Sequence, residues 1–78
     1  MDINEYSTQD LYEASAILAR GRRLIRLDPE DDHFLFVFED KERSEKVADN
    51  FWAGLDVNGT KAYADALRTL KDRLFARR

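Results

Sequence analysis

The sequence predicts an α+β fold in which a helix, an antiparallel β-hairpin and two further helices follow one another (αββαα), with the helices packed on a small sheet. Three observations carry that class. Leu11, Ala14 and Leu18 near one end, and Tyr63, Ala66, Leu67, Leu70 and Leu74 near the other, recur at the three- and four-residue spacing of helices. Between them, Arg23-Leu24-Ile25-Arg26-Leu27 and Phe34-Leu35-Phe36-Val37-Phe38 have the aliphatic, β-branched and aromatic character of strands. The residues joining the two strands, Asp28-Pro29-Glu30-Asp31-Asp32, are turn formers, and so short a link makes the pair antiparallel.

Each element has its own punctuation. Ser7 and Asp10 form a capping-box pattern, and Tyr6 and Leu11 stand at the positions of a hydrophobic staple, which places the first helix at about residues 8–20. Gly21 follows as the residue after its C-cap. Asp40 is the expected N-cap of a second helix running through Ala53, with Ser44, Val47, Ala48 and Phe51 inward and Gly54 at its end. Leu55-Asp56-Val57 reads as a loop or a short edge strand, and Asn58 or Thr60 as the cap of the last helix. Phe34, Phe36, Phe38, Val47, Phe51, Leu67 and Leu70 are the expected core.

The phenylalanine strand is apolar on both faces, since Phe34, Phe36 and Phe38 point one way and Leu35 and Val37 the other. Both faces therefore need cover, from helices of this chain or from another subunit. That pattern motivates a homodimer, although three helices suffice to cover a sheet of this size.

Composition bounds the rest. The 78 residues allow one domain, residues 1–78, with a single core. There is no cysteine, hence no disulfide framework and no thiolate zinc site. The longest apolar runs are far short of a membrane span, and the acidic start Met-Asp-Ile-Asn-Glu is unlike a signal peptide. The default expectation is a cytoplasmic protein with no membrane partner.

Taken together, Tyr6-Ser7-Thr8-Gln9-Asp10-Leu11, Ala14, Leu18, Gly21, Phe34 to Asp40, Phe51-Trp52-Ala53-Gly54 and Ala66 to Lys71 resemble a small family of bacterial and phage proteins known only as a domain of unknown function. The resemblance runs from about Tyr6 to Leu74 and rests mainly on capping, core and turn positions. It implies a compact α+β domain of phage or prophage type and carries over no catalytic or binding residue.

Charge is uneven along the chain. Residues 1–60 hold seven Lys/Arg against fourteen Asp/Glu, while residues 61–78 hold six against two, so a basic last helix follows an acidic body. Lys61, Arg68, Lys71 and Arg78 share one side of that helix with Phe75, an arrangement that suits a phosphate backbone and a stacked base. The plainer account is a solvated face with cations near the helix C-terminus. Arg20, Arg22, Arg23 and Arg26 form a second basic cluster, better explained by pairing with the many carboxylates of the same chain. Asp28, Glu30, Asp31 and Asp32 offer oxygen ligands, but their spacing lacks the glycine and terminal glutamate of a calcium loop, so no metal site is assigned.

Signals for catalysis are weak: no cysteine, one histidine (His33, at a strand start) and no glycine-rich phosphate loop. No catalytic residue and no cofactor are assigned. Tyr12 and Trp52 flank the apolar stripes of their helices and belong to the residue types enriched at binding hot spots, which makes them the candidate protein interface. The expected function is a non-enzymatic protein-interaction module, self-associating or binding another protein. The alternative is a nucleic-acid-associated protein that uses the basic last helix.

Overall fold

In the computed structural model, residues 4–55 and 60–77 are described. The order is β1 (Glu5–Thr8), α1 (Leu11–Ala19), β2 (Leu24–Glu30), β3 (His33–Glu39), α2 (Lys41–Trp52) and α3 (Lys61–Arg77). The expected αββαα succession is present, and one strand precedes it. β1 pairs with β3, so the sheet has three antiparallel strands in the order β1-β3-β2.

That strand changes the reading of the N-terminus. Ser7 belongs to β1 opposite Val37 and caps no helix. Asp10 is the N-cap of α1, its carboxylate accepting a hydrogen bond from the Glu13 amide at 2.9 Å. The helix is accordingly shorter at its start than residues 8–20. Tyr6 is a strand residue facing Phe38 and forms no staple.

At their other ends α1 and α2 stop in the same way. The Gly21 amide bonds to the Leu18 carbonyl and the Arg22 amide to that of Ile17; the Gly54 amide bonds to Phe51 and the Leu55 amide to Asn50. This is the Schellman arrangement, and both glycines adopt the positive φ it requires, +88° at Gly21 and +77° at Gly54. Asp40 caps α2 by accepting from the Arg43 amide, as expected, and Thr60 caps α3 by accepting from the Tyr63 amide. Asp56, Val57 and Asn58, the remainder of the proposed loop or edge strand and the other candidate cap, lie outside the described residues.

The hairpin is longer than its turn chemistry implies. β2 runs on through Asp28, Pro29 and Glu30, leaving a two-residue turn at Asp31-Asp32, with Asp31 at positive φ. Proline is tolerated because β2 is an outer strand. A register shift between Leu24 and Arg26 marks a bulge at Ile25. The extra residue re-phases the strand, so Leu24 pairs with Phe38 and Leu27 with Phe36, and both share their face.

Helices cover that face alone. Ile17 and Ala14 of α1, Ala48 of α2 and Leu70 of α3 join Leu27, Phe36 and Phe38 in one buried cluster, with Phe34, Val47 and Leu74 half-buried around it. Phe51 and Leu67, also expected in the core, are half-buried. Of the two faces expected to need cover from helices or a second subunit, the helices of this chain cover one. β3 is the central strand, and Val37, on the opposite face, is fully buried between its register partners Ser7 on β1 and Arg26 on β2. Arg26 is its neighbour on β2, and its guanidinium spans β3 to Glu5 on β1 through two hydrogen bonds of 2.9 Å. Arg26 Nε also donates to Asp28, 2.9 Å away. The apolar stem of an arginine shields a neighbour in this way while its head stays in water.

Among the described residues no helix is long and apolar enough to cross a membrane.

Candidate functional site

α1 is apolar almost all the way round, and Glu13 through Ile17 are consecutively buried within it. A helix of that kind lies among other elements on several sides. Its one acid, Glu13, is only 7% exposed. A buried carboxylate needs hydrogen-bond donors, and two are present. The Tyr6 hydroxyl donates to Oε1 at 2.9 Å and the Trp52 indole Nε1 to Oε2 at 2.6 Å. Both donors are neutral. Glu13 thus ties β1, α1 and α2 together without a cation.

The aromatic groups continue from there. Phe51 meets Trp52 edge-to-face at 5.0 Å between centroids and stacks on Tyr63 of α3 at 6.4 Å. Tyr12 is next to Glu13 in sequence, and its phenol acts electrostatically on that of Tyr63. Tyr12 and Trp52, chosen for their residue type and flanking position, are both tied to Tyr63, Trp52 through Phe51 and Tyr12 through its electrostatic influence. They are 54% and 63% exposed. Trp52 is outward-facing yet fixed by a hydrogen bond and a ring contact. Sequence reasoning did not single out Glu13. The signal was present in a helix whose other residues are apolar or small, because such a helix has no solvated side for its only acid.

The charges that act on the Tyr6 and Tyr63 phenols are all negative. Burial pushes the Tyr6 phenol well above the usual tyrosine range, reinforced by its hydrogen bond to Glu13 and by the charges of Glu13, Glu45 and Asp49. Tyr63 is raised by partial burial first, then by Tyr12 and Asp10. No cation is among the groups acting on either phenol.

The candidate nucleic-acid residues are placed differently. Lys61, Arg68, Lys71 and Phe75 are all exposed on α3, while Arg78 lies outside the described residues. Phe75 is 76% exposed. Lys61 is held by Asp65 at 2.8 Å, and helical spacing sets Asp65 and Asp72 on the same side as Arg68 and Phe75. The stripe alternates in sign. Three arginines of the Gly21 cluster pair internally: Arg22 with Asp40 at 3.7 Å, Arg23 with Glu39 at 3.9 Å, and Arg26 with Glu5 and Asp28.

The acidic hairpin tip is likewise engaged. Asp28 bonds Arg26, and the His33 ring lies 3.3 Å from Asp32 and 3.9 Å from Glu30. No group of three or more His, Cys, Asp or Glu able to hold a metal ion occurs among the described residues. Two open clefts flank the end of α3. One, of about 330 Å³, lies between Gln9, His33, Phe34 and Leu74; the other, of about 540 Å³, lies between Ile25, Arg26, Asp72 and Arg77.

No family model, curated protein or solved structure matches this chain.

Proposed function

We propose that this chain is a non-enzymatic protein-interaction domain, of the small bacterial or phage type it resembles in sequence, and that it binds through the surface of Tyr12 and Trp52. One observation supports this above the others. Trp52 exposes most of its indole while Glu13 and Phe51 hold the ring in place. An exposed aromatic that is already ordered loses little freedom on binding, which is the property of an interface anchor. A second copy of the chain is the first partner to test. Sedimentation equilibrium over a wide concentration range, and affinity purification with nuclease treatment, should both be run with the natural protein and with Trp52→Ala. Association that survives nuclease and disappears in Trp52→Ala is the expected result. Association indifferent to Trp52, or lost with nucleic acid, refutes it.

The second reading is nucleic-acid binding through α3, favoured by the exposure of Phe75 beside Arg68 and Lys71. Each phosphate contact removed would shallow the salt dependence of binding by roughly 0.7–0.9 in log–log slope. Fluorescence anisotropy with single- and double-stranded oligonucleotides at low salt tests it, and absence of binding there eliminates it.

A further inference from the structure

We propose that Glu13 is a positioning residue for Trp52, and that through it the seating of β1 on the sheet governs whether the indole is held ready for a partner. The order of the indole is a property of this chain alone; its consequence for binding rests on the interaction reading above. One buried carboxylate serves two elements. The Tyr6 hydroxyl of β1 donates to Oε1 at 2.9 Å, and the Trp52 indole of α2 donates to Oε2 at 2.6 Å. Trp52 itself is mostly exposed, and its ring contact, Phe51, is the preceding residue of the same helix. The bond to Glu13 is therefore what ties the indole to α1.

The two bonds depend on each other. A buried carboxylate oxygen that loses its donor carries the desolvation cost of an unsatisfied polar group. Withdrawing Tyr6 puts Oε1 in that state, and Glu13 relieves it by turning toward the water that enters where the phenol stood. Oε2 turns with it, and the indole is released. Burial, then the bond to Glu13, raises the Tyr6 phenol well above the usual tyrosine range, so the hydroxyl stays a donor at neutral pH. β1 is suited to be the variable element. It has four residues, lies at the margin of the sheet and pairs with β3 alone. Short marginal strands open locally at a lower free energy than the core. By linkage, a partner seated on Trp52 holds β1 the more firmly in place.

Trp52 is the only tryptophan, so its indole N–H gives a single side-chain resonance that reports the bond directly. Hydrogen exchange at that proton, followed by NMR beside the backbone amides of α2, separates release of the ring from loss of the fold. Tyr6→Phe removes only the hydroxyl. It should speed indole exchange about two- to tenfold, as for one hydrogen bond lost, and move the resonance upfield, while the α2 amides keep their rates. Trp52-dependent association should also weaken about two- to tenfold, because the partner must then order a free side chain. Glu13→Gln should keep indole exchange slow, since the amide oxygen accepts from the indole and the amide NH₂ donates to the Tyr6 hydroxyl. Ser7→Ala, at an exposed position of the same strand, should change neither measurement. Unchanged indole exchange in Tyr6→Phe would overturn the proposal, as would equal acceleration of the indole and the α2 amides, which is a general loss of stability. Association that needs Trp52 but ignores Tyr6 would overturn the link from β1 to binding. Faster indole exchange in a protein that associates with nothing upholds Glu13 as the positioning residue and refutes the interaction reading alone.

Discussion

On one face of the sheet Phe36 and Phe38 lie beneath three helices; on the other Val37 lies beneath a single arginine–glutamate fork. All three side chains are essentially inaccessible. The first face reaches that state by packing many apolar groups, the second by stretching one long polar side chain across a single valine. Each face also carries a carboxylate fixed by two donors. Glu5, on the open face, is paired with a cation; Glu13, within the helical layer, is bonded to a phenol and an indole. Equal burial of the central strand thus hides unequal roles. The fork closes a charge pair, whereas Glu13 is met by neutral donors only.

The sharpest way to separate the faces is to excavate them. Phe36→Ala should cost about 3–5 kcal/mol in urea unfolding, because it removes a large side chain and leaves a cavity under the helices. Val37→Ala should cost about 2 kcal/mol or less, since it removes two methyl groups and the Arg26 stem can settle into the gap. Equal losses would mean that the open face is as well packed as the helical one. A loss below about 1 kcal/mol for Phe36→Ala would remove that strand from the core altogether.

Tyr6→Phe probes the Glu13 site and should cost about 0.5–1.5 kcal/mol, the net value of a typical hydrogen bond. Its pH behaviour is the more specific readout. Burial, then Glu13, raises the Tyr6 phenol above its ordinary value near 10. The folded state therefore holds that proton more tightly than the unfolded chain. The resulting stability is complete below about pH 10 and is lost as the pH rises toward the folded value. Phenolate absorbance should lose its latest-titrating tyrosine in Tyr6→Phe, with Tyr63 still raised; a single unshifted transition for all tyrosines would contradict the structure.

The smallest effect is expected at the fork. The hydrogen bond from Arg26 is the main cause holding the Glu5 carboxyl below its usual range. Its contribution is present above the ordinary glutamate value and fades as the pH falls through the depressed one. Glu5→Gln should flatten this part of the acid limb of the stability curve. An unchanged limb would show that the exposed fork contributes nothing measurable, leaving Val37 covered by the arginine stem alone.

Much of this architecture was legible in sequence because its causes are local. The Schellman glycines, the Asp40 and Thr60 caps and the helical spacing of Leu67, Leu70 and Leu74 all announce themselves within a few residues. β1 does not. Glu5-Tyr6-Ser7-Thr8 has one large apolar side chain, and Ser7 with Asp10 imitates a capping box. Its strand character comes from β3, some thirty residues away. Without β1, β3 reads as half of a two-stranded hairpin, and the demand for cover on both faces comes from its own apolar pattern, Phe34, Phe36 and Phe38 against Leu35 and Val37. At the candidate site, residue type identified Tyr12 and Trp52. What fixes Trp52 is Glu13, whose burial depends on three elements meeting and has no short-range signature beyond the apolar company it keeps.

The proline and bulge on β2 bear on whether the sheet can extend from one molecule to the next. Continued pairing beyond an outer strand needs a regular row of amide hydrogens, and Pro29 supplies none while the extra residue at Ile25 breaks the spacing. β1, at the opposite margin, has only four residues and lies against α2. Growth of the sheet from molecule to molecule is obstructed at one border and has little template at the other. Both borders thus resist the backbone-to-backbone pairing that propagates into fibres.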